Sequence, residues 1–146
     1  MILHTASEGV TLAKKLENDS AKFYEDLAQR YAKEAETFLS FAKENKKNVA
    51  QTERVYFGVI TDAIEGCYAF NLDTDKYILD TTVTAGATLG DSVKCAIAVE
   101  DTIIKFYSDA AEQSKPLMAD VPRAFAIIAR KRTESRKPQL MALTNK

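Results

Sequence analysis

One pattern occurs twice along this chain, and it restricts the fold more than any other feature. Glu17, Lys22, Phe23, Tyr24, Asp26 and Ala28 recur at the same spacing as Glu100, Lys105, Phe106, Tyr107, Asp109 and Ala111. Further on, Phe38, Phe41, Ala42, Asn45 and Asn48 align at equal offsets with Phe125, Ile128, Ala129, Arg132 and Ser135. A repeated supersecondary unit cannot bury its apolar face alone. The two copies are therefore expected to pack on each other about a pseudo-two-fold axis.

Within each copy the apolar residues fall at helical spacing. Val10, Ala13, Ala21, Tyr24 and Leu27 mark a helix over about 6–31, and Phe38, Phe41, Ala42, Val49 and Tyr56 a second over 33–62. Val93, Ile97, Ile103, Ile104 and Tyr107 mark a third over 90–113, and Val121, Phe125, Ile128 and Ala129 a fourth over 119–143. Asp91 and Ser92 are the expected caps of the third helix, and Pro116 separates it from the fourth. Pro138 lacks a backbone donor and should kink or end the fourth helix. Segment 66–89 breaks the period with Gly66, Asn71, Asp73, Asp75 and Gly86, and reads as an irregular crossover with a short extended piece near Thr81-Thr82-Val83. Short turns make each helix pair antiparallel. The expected fold is one all-α domain over 1–146, two antiparallel helical hairpins joined by a long crossover, as in a ferritin-like four-helix bundle.

Composition agrees, since 5 Gly and 3 Pro favour helix. No apolar run approaches the roughly 20 residues of a membrane span. Met1-Ile2-Leu3-His4 runs into polar sequence rather than a signal-peptide core. Cys67 and Cys95 form no CxxC pair, which excludes a zinc ribbon or a rubredoxin-type centre, and the expected compartment is the cytoplasm, with both thiols reduced. The net charge of -1 hides an asymmetry. Residues 1–114 hold 12 Lys/Arg and 19 Asp/Glu, whereas residues 115–146 hold 8 and 2. The basic cluster Arg130, Lys131, Arg132, Arg136 and Lys137 reads as a solvated helix face, because no aromatic is interleaved to stack on nucleic-acid bases.

Two residues conflict with that simple bundle. Glu17 lies seven positions after Val10 and four after Ala13; Glu100 lies seven after Val93 and three after Ile97. Both carboxylates therefore point inward, where an ionised Glu requires a proton, a cation or a metal beside it. The phrases from Leu16-Glu17 to Phe23-Tyr24 and from Val99-Glu100 to Phe106-Tyr107 resemble the first and third helices of the rubrerythrin-type branch of the ferritin-like superfamily. The resemblance extends over nearly the whole chain. It implies two iron or manganese ions between the helices, held by one Glu each from helices 1 and 3 and a Glu-x-x-His each from helices 2 and 4. It also implies self-association, commonly as a homodimer.

Carried over by position, Glu17 and Glu100 match the two single carboxylates, with Tyr24 and Tyr107 as aromatics behind them. The remaining ligand positions fall on Asn45, Asn48, Arg132 and Ser135, none of which is Glu or His, and the one histidine, His4, precedes helix 1. Glu44 and Glu134 lie off the inward register. A guanidinium at Arg132 offers donors to both carboxylates, and Asn45, Asn48 and Ser135 are the expected donors to the spare oxygens. The expected core is thus a buried Glu17–Arg132–Glu100 network in place of metal, belonging to a non-catalytic module with no cofactor and an unidentified protein partner. The alternative is a di-metal oxidoreductase handling iron, oxygen or peroxide, in which Glu44, Glu53, Glu134 or a partner chain complete a site around Glu17 and Glu100. Nucleic-acid binding through the basic fourth helix is the weakest of the three readings.

Overall fold

A computed structural model of the chain describes residues 1–60, 68–114 and 120–144, apart from the side chains of 55–60, 68, 69 and 120. Its elements are β1 (Ile2–Thr5), α1 (Ala6–Arg30), α2 (Ala35–Ile60), β2 (Tyr68–Asp73), α3 (Leu89–Gln113), α4 (Asp120–Lys131) and α5 (Lys137–Ala142). A π-helical turn, Arg132–Arg136, joins α4 to α5 without a break, since Lys131, Arg136 and Lys137 keep helical dihedral angles. Short 3-10 turns occupy Ala32–Glu34 and Thr74–Tyr77. The described residues are mainly helical, with one small antiparallel sheet among them. Among the described residues no helix is long and apolar enough to cross a membrane.

Both long first helices start in the same way. The Thr5 hydroxyl accepts from the Glu8 amide while the Glu8 carboxylate accepts from the Thr5 amide. Thr88 and Asp91 form the same reciprocal cap on α3. Each box satisfies two of the amides left open at a helix start. The cap of α3 is therefore Thr88, with Asp91 closing it, while Ser92 instead meets the Tyr31 hydroxyl at 2.6 Å.

Side-chain pairs fix the helix directions. Lys14 meets Glu53, Glu17 meets Asn48 and Ser20 meets Asn45, so α1 and α2 are antiparallel. Arg132 meets Glu100 and Phe125 packs on Tyr107, which sets the last helical rod antiparallel to α3. Tyr24 reaches Glu100 and Tyr107 reaches Glu17, which brings the two hairpins together through α1 and α3. Between them the expected stripes close into a core of Leu16, Leu27, Phe38, Phe41, Ile103, Phe106, Phe125 and Ile128, all buried. Cys67 and Pro116, and the side chain of Tyr56, lie outside the described residues.

Two expectations require correction. The crossover's hydrogen-bonded strand is not at 81–83 but at Tyr68–Asp73, where it pairs with β1 in the register Leu3 to Leu72. A lone strand leaves its backbone groups unpaired, and the N-terminal residues supply the partner. The strand residues Leu3, Phe70 and Leu72 then cap one side of the core. Nor does Pro138 end the helix. The π-turn bonds the Lys137 amide to the Arg132 carbonyl, and the proline falls in the first turn of α5, where its fixed dihedral and missing donor are tolerated.

Phe70 lies directly on Gly9, where an added Cβ would meet ring atoms Cε2 at 2.6 Å and Cδ2 at 2.9 Å. Gly9→Ala gains helix propensity of about 1 kcal/mol, yet forces a buried ring aside at a cost of about 1–3 kcal/mol. The expected net effect is a lower melting temperature, read by thermal unfolding. An increase would mean that β2 is not seated on α1.

Candidate functional site

Every helical rod contributes to one buried polar centre. Glu17 from α1, Asn45 from α2, Glu100 from α3, and Arg132 and Arg136 from the π-turn are all essentially inaccessible to solvent. The repeat explains the carboxylates: each lies on its helix about two turns before a buried tyrosine, on the stripe that faces the other hairpin. The tyrosines are exchanged between copies. Tyr24 on α1 donates to Glu100 Oε2 at 2.8 Å, and Tyr107 on α3 donates to Glu17 Oε1 at 2.9 Å.

Arg132 lies between the carboxylates. Its Nη1 donates to Glu100 Oε1 at 2.7 Å, and its Nη2 to Glu17 Oε1 at 2.6 Å and Oε2 at 2.7 Å. Asn48 Nδ2 adds a longer contact to Glu17 at 3.3 Å. Asn45 is not the donor to carboxylate that its position suggested. Its Oδ1 accepts from Arg132 at 3.0 Å and from Arg136 at 2.6 Å, while its Nδ2 donates to Ser20 at 2.9 Å. The amide oxygen thus bridges the two guanidiniums.

Arg136 is the residue that sequence reasoning missed, and Ser135 the one it misplaced. Ser135 is exposed and accepts from Gln139, whereas Arg136 is buried and donates to Asn45, to Glu100 at 3.4 Å and to Glu44 at 3.0 Å. A π-turn closes its hydrogen bond over five residues rather than four. The residue four positions beyond Arg132, not three, then returns to the inward face. A signal was present: Arg136 continues the stripe Phe125, Ala129, Arg132 at helical spacing. Its guanidinium also lies 5.0 Å from the Phe41 ring centre and 5.6 Å from that of Tyr24, in range for cation–π attraction. The basic cluster of the C-terminal rod is accordingly not one solvated face, since two of its members are in the core and Lys137 pairs with Asp101.

The closed centre carries two carboxylates and two guanidiniums. Glu44, whose side chain is 42% exposed, is the point where the network meets solvent. Glu134 is exposed, and Glu53 pairs with Lys14 at the surface. His4 lies at the β1–β2 end, its Nδ1 3.3 Å from the Phe70 carbonyl. Among the described residues the Nε atoms of Arg132 and Arg136 are buried without a hydrogen-bond partner.

No family model matches this chain, and no curated protein or solved structure matches it either. The functional reading rests on the geometry.

Electrostatics follows from the packing. Burial pushes the Glu100 carboxyl up, but Arg132, Arg136 and the Tyr24 hydrogen bond outweigh it and hold the group below its usual 4.5. Burial disfavours the Arg132 charge, and Glu100 and Glu17 more than offset that. Burial first, and then the neighbouring carboxylates, hold the Tyr24 and Tyr107 phenols well above 10. Below pH 4.5 the unfolded chain takes up the Glu100 proton before the folded chain does, so Glu100's contribution is complete above 4.5 and lost as pH falls through the folded value. The tyrosine contribution has the opposite sense: complete below pH 10 and lost as pH rises through the folded values. Denaturant midpoints across pH should therefore decline outside those two limits, with a shallower acid limb in Glu100→Gln. An acid limb unchanged in Glu100→Gln would contradict the assignment.

Proposed function

We propose that this chain is a ferritin-like, rubrerythrin-type bundle in which Arg132 and Arg136 stand where the family holds two metal ions. On this reading it serves as a non-catalytic binding or structural module, cytoplasmic and homodimeric. The observation that carries it is the single guanidinium bridging Glu17 and Glu100 at 2.6 and 2.7 Å. The exchanged tyrosines support the pseudo-two-fold core that the family resemblance implies.

The residues present do not fit a pair of divalent cations. Hard or borderline dications require several carboxylate or imidazole ligands. Here both carboxylates already accept from Arg132, the Asn45 oxygen accepts from two arginines, and Ser135 faces away. Among the described residues no three His, Cys, Asp or Glu side chains gather as a ligand set. A cation entering this centre would have to displace a guanidinium that two carboxylates hold.

Anaerobic loading with ferrous or manganous ion, followed by desalting and elemental analysis, tests the proposal. The expected result is no retained metal. About two ions per chain, the family stoichiometry, lost on Glu17→Ala or Glu100→Ala, would overturn it in favour of a di-metal oxidoreductase.

A further inference from the structure

Outside the arginine core, α1 and the chain after the Thr74–Tyr77 turn enclose an open cleft of about 830 Å3. One wall is α1 from Leu12 to Arg30, and the other runs from Thr74 to Val83. Eighteen helical rises of about 1.5 Å make that wall about 27 Å long, so the cleft suits an elongated ligand. Leu16, Phe23, Leu27 and Tyr77 form a buried apolar floor, and Ile78 stands at the rim 70% exposed.

The polar groups narrow the choice of ligand. Among the described residues, 78–83 make no backbone–backbone hydrogen bond. The Asp80 and Thr82 carbonyls face Cys95 of α3, at 3.4 and 4.0 Å, whereas the Val83 carbonyl accepts from Arg30 of α1. Alternate residues of an extended chain present their backbone groups to opposite edges. The amides and carbonyls of Leu79 and Thr81 thus fall on the α1 side with that of Val83, and they have no partner among the described residues. Along α1 the charges alternate as Lys15, Asp19, Lys22, Asp26 and Arg30. Lys15 and Asp19 pair with each other at 2.7 Å, while Lys22 and Asp26 make no ion pair among the described residues.

We propose that this cleft binds an extended peptide, added as a strand along residues 79–83. Its backbone pairs with Leu79 and Thr81, alternate apolar side chains enter the floor, and polar ones of either sign meet Lys22 and Asp26. Strand addition supplies donors and acceptors together, which the open edge requires. An acyl chain would cover the floor but leave the edge unpaired. The inference does not depend on what fills the bundle core, so it stands or falls separately from the proposed function.

A phage-displayed library of random linear dodecapeptides, selected on the full chain, provides the probe. The enriched peptide is synthesised and its affinity measured by calorimetry, with amide hydrogen exchange on the complex. The expected result is slowed exchange at Leu79 and Thr81. Binding should be about tenfold weaker in Thr81→Pro, which removes one backbone donor, and weakened in Ile78→Glu, a rim change that leaves the core untouched. Failure to enrich any peptide would overturn the proposal. So would a peptide whose binding ignores Ile78→Glu and protects no amide in 79–83, even if Thr81→Pro fails to fold.

Discussion

Arg132 ties all four helical rods to one point. It is carried by the turn after α4 and donates to Glu17 on α1, Asn45 on α2 and Glu100 on α3. Most of the driving force for folding comes from the apolar core around it, as in any bundle. What the arginine decides is whether the two inward carboxylates are tolerable. Taking these charges out of water costs several kcal/mol per ion, and the attraction between them repays this only when every member of the network is present. The centre therefore dictates which helix faces may meet, and the π-turn exists at the place where a second guanidinium has to be turned inward.

The symmetry of the repeat is kept where it supports the carboxylates and broken where they are neutralised. Tyr24 and Tyr107 exchange equivalent hydrogen bonds across the pseudo-axis. Their downstream counterparts differ: Asn45 on one side and Arg132 on the other. This asymmetry has a simple physical basis. A second arginine at 45 would add a third buried cation to two carboxylates, whereas an amide oxygen accepts from both guanidiniums already there.

The helices were legible because their apolar residues repeat at helical spacing, and each expected boundary lies within two residues of an observed one wherever the chain end is described. Glu17, Glu100 and Arg132 were legible for the same reason: a charged residue on an apolar stripe has to be explained. The β1–β2 sheet was not, because pairing between residues 2–5 and 68–73 depends on a contact across the whole of α1 and α2 that no local pattern encodes. Ser135 was placed inward because the resemblance carries a spacing of three residues from Arg132; the π-turn rotates that position outward, while Arg136, on the same stripe, stays buried. The Thr5–Glu8 and Thr88–Asp91 caps show that the repeat begins earlier than the Glu-to-Ala phrase, at the first residue of each hairpin.

If charge compensation is what holds the centre together, its energetics must be non-additive. Equilibrium unfolding of Arg132→Met, of the pair Glu17→Gln with Glu100→Gln, and of all three changes combined measures this directly. Arg132→Met alone should lose about 3–5 kcal/mol by stranding two buried carboxylates. The triple variant, neutral at those three positions, should recover much of that loss. A triple variant destabilised by the full sum of the separate losses would contradict the account.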